Sequence, residues 1–169
     1  MTLVIGLATA IFVADQLTKK WALARLDAIH PVVVIPDFFQ LVLVMNPGVA
    51  FGIFAGVPPR WRWIVSLFSL TALALLGSLA FRLLPRGSLL ARVAIGLVFG
   101  GAAGNLLDRW RFGAVVDFLD VFWRSYHWPA FNVADSAISV GVVCLIIHFA
   151  FERKDAPLPA PDTPPPTGY

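Results

Sequence analysis

Long apolar segments alternate with short polar ones along the chain. The first begins at Leu3 and carries no charge until Asp15. About 20 helical residues are needed to cross ~30 Å of hydrocarbon, so this helix must continue to about residue 21 and take Asp15 into the membrane or to its edge. The pattern predicts four transmembrane helices, at about residues 3–21, 64–81, 89–107 and 132–151.

The composition supports lipid as the solvent. The chain is 59% hydrophobic and only 14% charged, and its mean hydropathy is +0.80. A soluble domain of 169 residues needs more charge on its surface. The formal charge of +3 does not indicate nucleic-acid binding, because basic residues beside apolar spans commonly face lipid headgroups or set topology.

The segment between the first two spans differs from a helix. Residues 32–56 are rich in β-branched and aromatic residues and are interrupted by Pro36, Pro47 and Gly48. This pattern predicts short strands and turns, and therefore a small sheet on the membrane surface. Residues 155–169 are proline-rich and are predicted to be a disordered tail after a membrane domain of residues 1–154.

Acidic residues are concentrated just after the third span. Asp108, Asp117 and Asp120 all lie within residues 105–120. Asn105, Asp108 and Arg109 share one helical face, for which an interfacial salt bridge is the simplest explanation. Asp117 lies among apolar neighbours, where a carboxylate is costly unless it has a function. We therefore expect Asp117 to belong to a functional site.

Two other polar clusters, at the start of the fourth span and near the end of the first, are explained by local structure at least as well as by function. Asn132 and Asp135 open the fourth span, where an N-cap and a first-turn acid explain them as well as function does. Asp15 and Lys19 are four residues apart, as in an intrahelical ion pair. Asn46 is most simply a turn residue.

The third span also carries a stripe of small residues. Gly96, Gly100 and Gly104 recur every four residues. Such a stripe lets two helices approach closely in lipid. We expect it to serve helix packing.

The available side chains favour acid–base chemistry by carboxylates. The three histidines show no metal-binding spacing, and no GxSxG nucleophile motif is present. We expect no cofactor. Two facing aspartates can share one proton, so that one activates water while the other polarises a carbonyl. Composition does not decide which two aspartates form such a pair.

Five sequence blocks resemble one known family. The blocks are DQLTKKWA at 15–22, NPGVAFG at 46–52, GGAAGNLLDR at 100–109, GAVVDF at 113–118 and FNVADSAI at 131–138. They are similar, in the same order, to the motifs of the bacterial lipoprotein signal peptidase (signal peptidase II) family. The resemblance covers about residues 3–150.

The resemblance implies a function and a fold. It implies an intramembrane aspartic endopeptidase that cuts diacylglyceryl-modified prolipoproteins on the N-terminal side of the lipidated cysteine. The implied fold is an all-α polytopic protein with four transmembrane helices and an extracytoplasmic β-rich cradle between helices 1 and 2. Asp117 and Asp135 match the catalytic pair. Positions that match substrate-binding or supporting residues are Asp15, Asn46, Gly48, Asn105, Asp108, Arg109 and Asn132.

The same resemblance places the protein in the bacterial inner membrane with both termini cytoplasmic and the site near the outer face. Counting basic residues alone predicts the opposite orientation. The expected partners are prolipoprotein substrates and membrane lipids, with no nucleic acid and no obligate protein partner. The alternative is a small proton-coupled transporter subunit, which predicts acids spread through the bilayer depth.

Overall fold

A computed structural model describes residues 1–48, 63–83 and 88–152. The elements in chain order are α1 (Thr2–Arg25), β1 (Val32–Ile35), β2 (Phe39–Asn46), α2 (Trp63–Leu83), α3 (Leu89–Phe112), β3 (Val115–Trp123), β4 (Tyr126–His127) and α4 (Val133–Glu152). The predicted disordered tail and the end of the predicted β-rich segment lie outside the described residues.

Three of the described helices are long and apolar enough to cross a membrane: α1, α3 and the Val133–Phe151 part of α4. The expectation of a membrane protein with several apolar helices is therefore confirmed. The predicted span at residues 64–81 coincides with α2, in which the apolar segment among the described residues, Leu67–Ser78, is shorter. The number of four spans stays a prediction.

The glycine stripe of α3 packs against α1, as expected. A Cβ added at Gly100 would lie 2.6 Å from the carbonyl oxygen of Ala8, and one at Gly104 would overlap the Asp15 carboxylate. On a neighbouring face, a Cβ at Gly101 would lie 2.5 Å from the carbonyl oxygen of Ala134 in α4. Small residues thus let α3 approach both neighbours closely, which brings α1 and the start of α4 together.

The strands form one antiparallel sheet in the order β1-β2-β3-β4. Half of it comes from the connection between α3 and α4, whereas the sequence predicted β structure only between the first two spans and treated residues 121–129 as a loop. The reason is that residues 115–118 are all buried. A strand that is buried on both faces shows no alternation of apolar and polar positions.

A β-bulge separates the two ends of the β2–β3 ladder. Gln40 pairs with Asp120 and Leu41 with Leu119, but Val44 pairs with Asp117, so β2 contains one extra residue between the two registers. An extra residue switches the side-chain alternation of the bulged strand. The Val44–Asp117 and Gln40–Asp120 pairs therefore belong to opposite faces of the sheet.

Candidate active site

The turn after α3 determines where β3 begins. Gly113 ends the helix in the left-handed conformation, at φ 67°, and its amide donates to the Arg109 carbonyl at 3.0 Å. Glycine adopts this conformation without a steric penalty. The Val116 amide then donates to Asp108 Oδ2 at 3.1 Å. Asp117, the next residue, is thereby fixed beside the last turns of α3.

A second set of backbone contacts joins β3 to the start of α4. The Phe118 and Leu119 amides donate to the Phe131 carbonyl at 3.1 and 2.9 Å, and the Phe131 amide donates to the Leu119 carbonyl at 3.0 Å. Asn132 follows Phe131 directly. The hairpin therefore brings Asn132 next to Asp117.

Asn132 and Asp135 cap α4 reciprocally. The Asp135 amide donates to Asn132 Oδ1 at 2.9 Å, and the Asn132 amide donates to Asp135 Oδ2 at 3.3 Å. This is the geometry of a capping box, with Asp in place of the usual Glu. The interpretation of these residues as an N-cap and a first-turn acid is confirmed, and the same contacts fix the Asp135 carboxyl beside Asn132.

Asn132 connects the two carboxyl groups that the family resemblance pairs. Its Nδ2 donates to Asp117 Oδ1 at 2.7 Å, while Asn46 Nδ2 donates to Asp117 Oδ2 at 3.0 Å. Asn105 Nδ2 donates to Asp135 Oδ1 at 2.7 Å. Each carboxyl thus receives amide donors on both oxygens, and Asn132 contacts both groups.

Asp117 has an environment that suits proton transfer. Its side chain is only 1% exposed. The pKa of Asp117 is raised to about 7, mainly by burial and secondly by the charge of Asp135. A carboxyl that gains or loses its proton near neutral pH can act as a general acid or a general base.

A buried ion cluster lies behind the pair. Lys19 Nζ lies 2.9 Å from Asp15 Oδ2, 2.8 Å from Asp108 Oδ2 and 2.9 Å from Asn105 Oδ1. All three ammonium donors thus have acceptors. Asp15 Oδ1 also accepts the Ala134 amide at 3.0 Å, within the first turn of α4. The cluster links α1, α3 and α4 at the level of the site.

Two members of this cluster were missed as site residues from the sequence. Lys19 does form the expected ion pair with Asp15, but it also reaches Asp108 on another helix. Gln16 Nε2 lies 3.1 Å from oxygens of both Asp15 and Asp108. The signal that could have identified Lys19 is a lysine inside an apolar helix, one turn after an aspartate.

Arg109 and Asn46 connect the site to the chain after β2. Arg109 Nη1 and Nη2 donate to the carbonyl oxygens of Asn105 and Gly48, at 3.3 and 3.2 Å. The salt bridge of Asp108 is thus formed with Lys19 rather than within its own helix. Asn46 is the last residue of β2 rather than a turn residue, although its Oδ1 accepts the Gly48 amide at 3.0 Å and so begins the turn that follows.

The structure brings all nine site positions of the sequence analysis into one connected set of polar contacts: Asp15, Asn46, Gly48, Asn105, Asp108, Arg109, Asn132 and the two carboxyls Asp117 and Asp135. Asp120 is outside this set and contacts Gln40 and His127 instead. Within residues 1–48, 63–83 and 88–152, no group of three or more His, Cys, Asp or Glu side chains is arranged to bind a metal ion.

The fold and site define a polytopic membrane protein in which one buried and one partly buried carboxyl lie where apolar helices meet a small sheet. A family model described as signal peptidase (SPase) II matches residues 7–151. The chain belongs to the signal peptidase II family and is therefore a membrane peptidase.

Individual relatives agree with this assignment. A lipoprotein signal peptidase of Syntrophotalea carbinolica is 48% identical over 141 residues, covering 83% of this chain and 86% of the relative. One of Geobacter sulfurreducens is 44% identical over 146 residues, covering 86% and 90%. A bacterial membrane enzyme solved by the in meso method at 2.3 Å is 33% identical, with a TM-score of 0.74 and coverage of 90% of each chain.

Proposed function

We propose that this chain is an aspartic endopeptidase that removes the signal peptide from diacylglyceryl-modified prolipoproteins, cutting on the N-terminal side of the lipidated cysteine. The observation that carries the proposal is the pair of carboxyls, buried Asp117 and partly buried Asp135, which both contact Asn132. The family match, and the relatives named lipoprotein signal peptidase, support the choice of substrate.

The pair can hydrolyse an amide when it holds one proton. The ionised carboxyl removes a proton from water, and the water oxygen attacks the scissile carbonyl carbon. The protonated carboxyl donates a hydrogen bond to the carbonyl oxygen as negative charge develops there. The carboxyl that took the proton from water then passes it to the leaving amine as the C–N bond breaks, so the products are a carboxylic acid and an amine and the pair again holds one proton.

The surrounding amides support this chemistry. Asn46, Asn105 and Asn132 donate to the carboxyl oxygens, and this orients both groups without adding a competing charge. The Lys19 cluster holds the backbone of α1 and α4 in place around them. Preorganised side chains of this kind reduce the reorganisation needed in the transition state.

The position of the site suits a substrate that is anchored in lipid. Asp15, Asn105 and Asp135 lie in the halves of α1, α3 and α4 that are nearer the sheet. The start of α1 and the end of α4 lie at the opposite side of the helical bundle. We place the sheet at the outer face of the bacterial inner membrane, with both termini cytoplasmic. The signal helix then lies in the bilayer, and the two acyl chains hold the lipidated cysteine at the depth of the carboxyls.

The distribution of buried acids favours a peptidase over a proton-coupled transporter. In the part of the chain that the structure describes, the acids of at most 6% exposure are Asp15, Asp108, Asp117 and Asp120. All of them lie at the sheet end of the molecule. A transporter would need titratable groups through the bilayer depth.

A cleavage assay on the purified protein tests the proposal. We expect a diacylglyceryl-modified prolipoprotein to be cut and its unlipidated form to be cut far more slowly. Asp117→Asn and Asp135→Asn should each lower kcat by about 10³-fold or more, in the range of general acid–base catalysis. Asp27→Asn is a matched control, because Asp27 is exposed and contacts His30 away from the site. Normal turnover by either folded site variant would contradict the proposal.

A further inference from the structure

Strand β3 carries a second buried carboxyl, Asp120, in addition to Asp117 of the proposed catalytic pair. Asp120 is 6% exposed, and its Oδ2 accepts Gln40 Nε2 at 2.7 Å and His127 Nδ1 at 2.8 Å. The His127 ring stacks on Phe122, with centroids 5.0 Å apart and planes 11° apart. The proposed reaction does not use any of these side chains.

These contacts join three strands of the sheet. Gln40 is on β2, Asp120 on β3 and His127 on β4. Asp120 lies three residues after Asp117, so the two carboxyls face opposite sides of the strand. Asp120 is therefore excluded from the catalytic pair by geometry, although it lies close to Asp117 in sequence.

The hairpin that contains Asp120 and His127 connects the two halves of the proposed catalytic pair. Its outgoing arm, β3, holds Asp117. Its returning arm passes through Phe131 to Asn132 and the start of α4. The Asp120–His127 contact ties one arm to the other, between the turn and the catalytic residues.

Near the turn, the backbones of the two arms are joined by the β3–β4 pairs and by the Trp128 amide, which donates to the Val121 carbonyl at 2.8 Å. β3 and β4 pair at only two positions, Phe122 with His127 and Trp123 with Tyr126. Arg124, in the turn, adopts a positive φ of 56°, which costs a non-glycine residue some free energy. The Asp120–His127 contact adds a side-chain tie to these backbone contacts; the Asp120 side chain is 9% exposed and the His127 side chain 48% exposed.

We propose that Asp120 and His127 are positioning residues: their contact fixes the two arms of the hairpin, and thereby sets the separation of the Asp117 and Asp135 carboxyls. This inference rests on the proposed catalytic pair. It requires a hydrogen on His127 Nδ1, which both the imidazolium and one neutral tautomer provide. Gln40 extends the tie to β2, which carries Asn46.

Substitutions at His127 separate positioning from packing. His127→Phe keeps a ring that can stack on Phe122 but removes the donor to Asp120. His127→Asn restores a donor at nearly the position of Nδ1. His30→Phe is the matched control, because His30 forms the same kind of contact with Asp27, at 2.9 Å, outside the hairpin.

We expect His127→Phe to lower kcat about 10- to 100-fold with little change in KM, as for a displacement of catalytic groups by up to about 1 Å. The pH–rate profile should shift toward acid, because Asp117 then experiences less of the Asp135 charge. His127→Asn should recover most of the activity and the wild-type profile, and His30→Phe should behave as wild type. A wild-type kcat and profile in His127→Phe, or a loss that His127→Asn does not reverse, would overturn the inference.

Amide hydrogen exchange separates this inference from the proposed function. We expect faster exchange at Leu119 and Phe131 in His127→Phe but not in His30→Phe, whichever residues perform the chemistry. Unchanged exchange at these amides would refute the positioning role even if Asp117 and Asp135 prove catalytic. Full activity of Asp117→Asn would refute the catalytic pair, while the exchange data would still report on the hairpin.

Discussion

Replacing Asp117 by Asn should stabilise the protein at pH 8 while abolishing its activity. Burial and the Asp135 charge raise the pKa of Asp117 from its ordinary value of 3.8 to about 7. The folded protein therefore binds this proton more tightly than the unfolded chain does. As a result, the stability of the wild type falls as pH rises from about 4 to about 7, and the whole penalty is present above that range.

The magnitude follows from the pKa difference. At about 1.4 kcal/mol for each pKa unit, the rise from 3.8 to about 7 corresponds to about 4 kcal/mol at pH 8, and to about 2 kcal/mol at pH 5. Asn is neutral at every pH, but its NH2 group cannot accept one of the two amide hydrogen bonds that the Asp117 oxygens receive, which costs about 1–3 kcal/mol at any pH. Because Asn is neutral, it still avoids the penalty of ionisation.

Unfolding in mixed micelles at pH 5 and pH 8, followed by the fluorescence of the six tryptophans, measures this effect. After the lost amide hydrogen bond is subtracted, we expect Asp117→Asn to be more stable than the wild type by about 1–3 kcal/mol at pH 8, and this difference to be about 2 kcal/mol smaller at pH 5. Asp27→Asn, at an exposed carboxyl whose pKa is lowered by the His30 hydrogen bond, should keep the wild-type fall in stability between these pH values. If Asp117→Asn were less stable than the wild type at pH 8, or if its stability fell with pH as much as that of the wild type, Asp117 would not carry the predicted penalty of ionisation.

Three further predictions concern the surroundings of the pair. Lys19→Ala should destabilise the protein by about 3–5 kcal/mol in the same unfolding assay, because it leaves buried Asp15 and Asp108 without their counter-charge. The control Lys20→Ala, at an exposed neighbouring position, should have little effect. Equal losses of stability in the two variants would contradict the stabilising role of the Lys19 cluster. Gly104→Ala should lower both stability and activity, because the added Cβ would overlap the Asp15 carboxylate; normal thermal unfolding and turnover would contradict this close approach. Asp120→Asn, which keeps one acceptor oxygen, should retain measurable cleavage, whereas complete loss in a folded variant would indicate that Asp120 is itself catalytic.

The helices could be predicted because their signals are local, whereas the candidate site positions came from the resemblance of the motif blocks to one family. Apolar length defines α1, α3 and α4 to within a few residues, and the small-residue stripe predicts which face of α3 packs closely. The motif blocks name residues far apart in sequence that the fold brings together. Even so, α3 continues five residues beyond the predicted end at 107, because its polar last turns pack against Lys19 and β3 rather than ending at the membrane edge.

The β3–β4 half of the sheet and the Lys19 cluster could not be predicted, because they depend on contacts between distant segments. β3 is buried on both faces and therefore lacks the alternation that identifies a strand. The bulge in β2 is visible only once its register with β3 is known. Lys19 has a sufficient local partner in Asp15, so nothing in the sequence shows that it also neutralises Asp108 across the helix interface.

The central claim is that Asp117 and Asp135 form an interacting pair that holds one proton near neutral pH. Infrared titration of the protein with an isotope label in the Asp117 carboxyl measures this directly. We expect the protonated band to persist to about pH 7, and Asp135→Asn to move its loss to lower pH, because the neighbouring charge is gone. Full ionisation of Asp117 below pH 5, or a titration that does not respond to Asp135→Asn, would contradict the account.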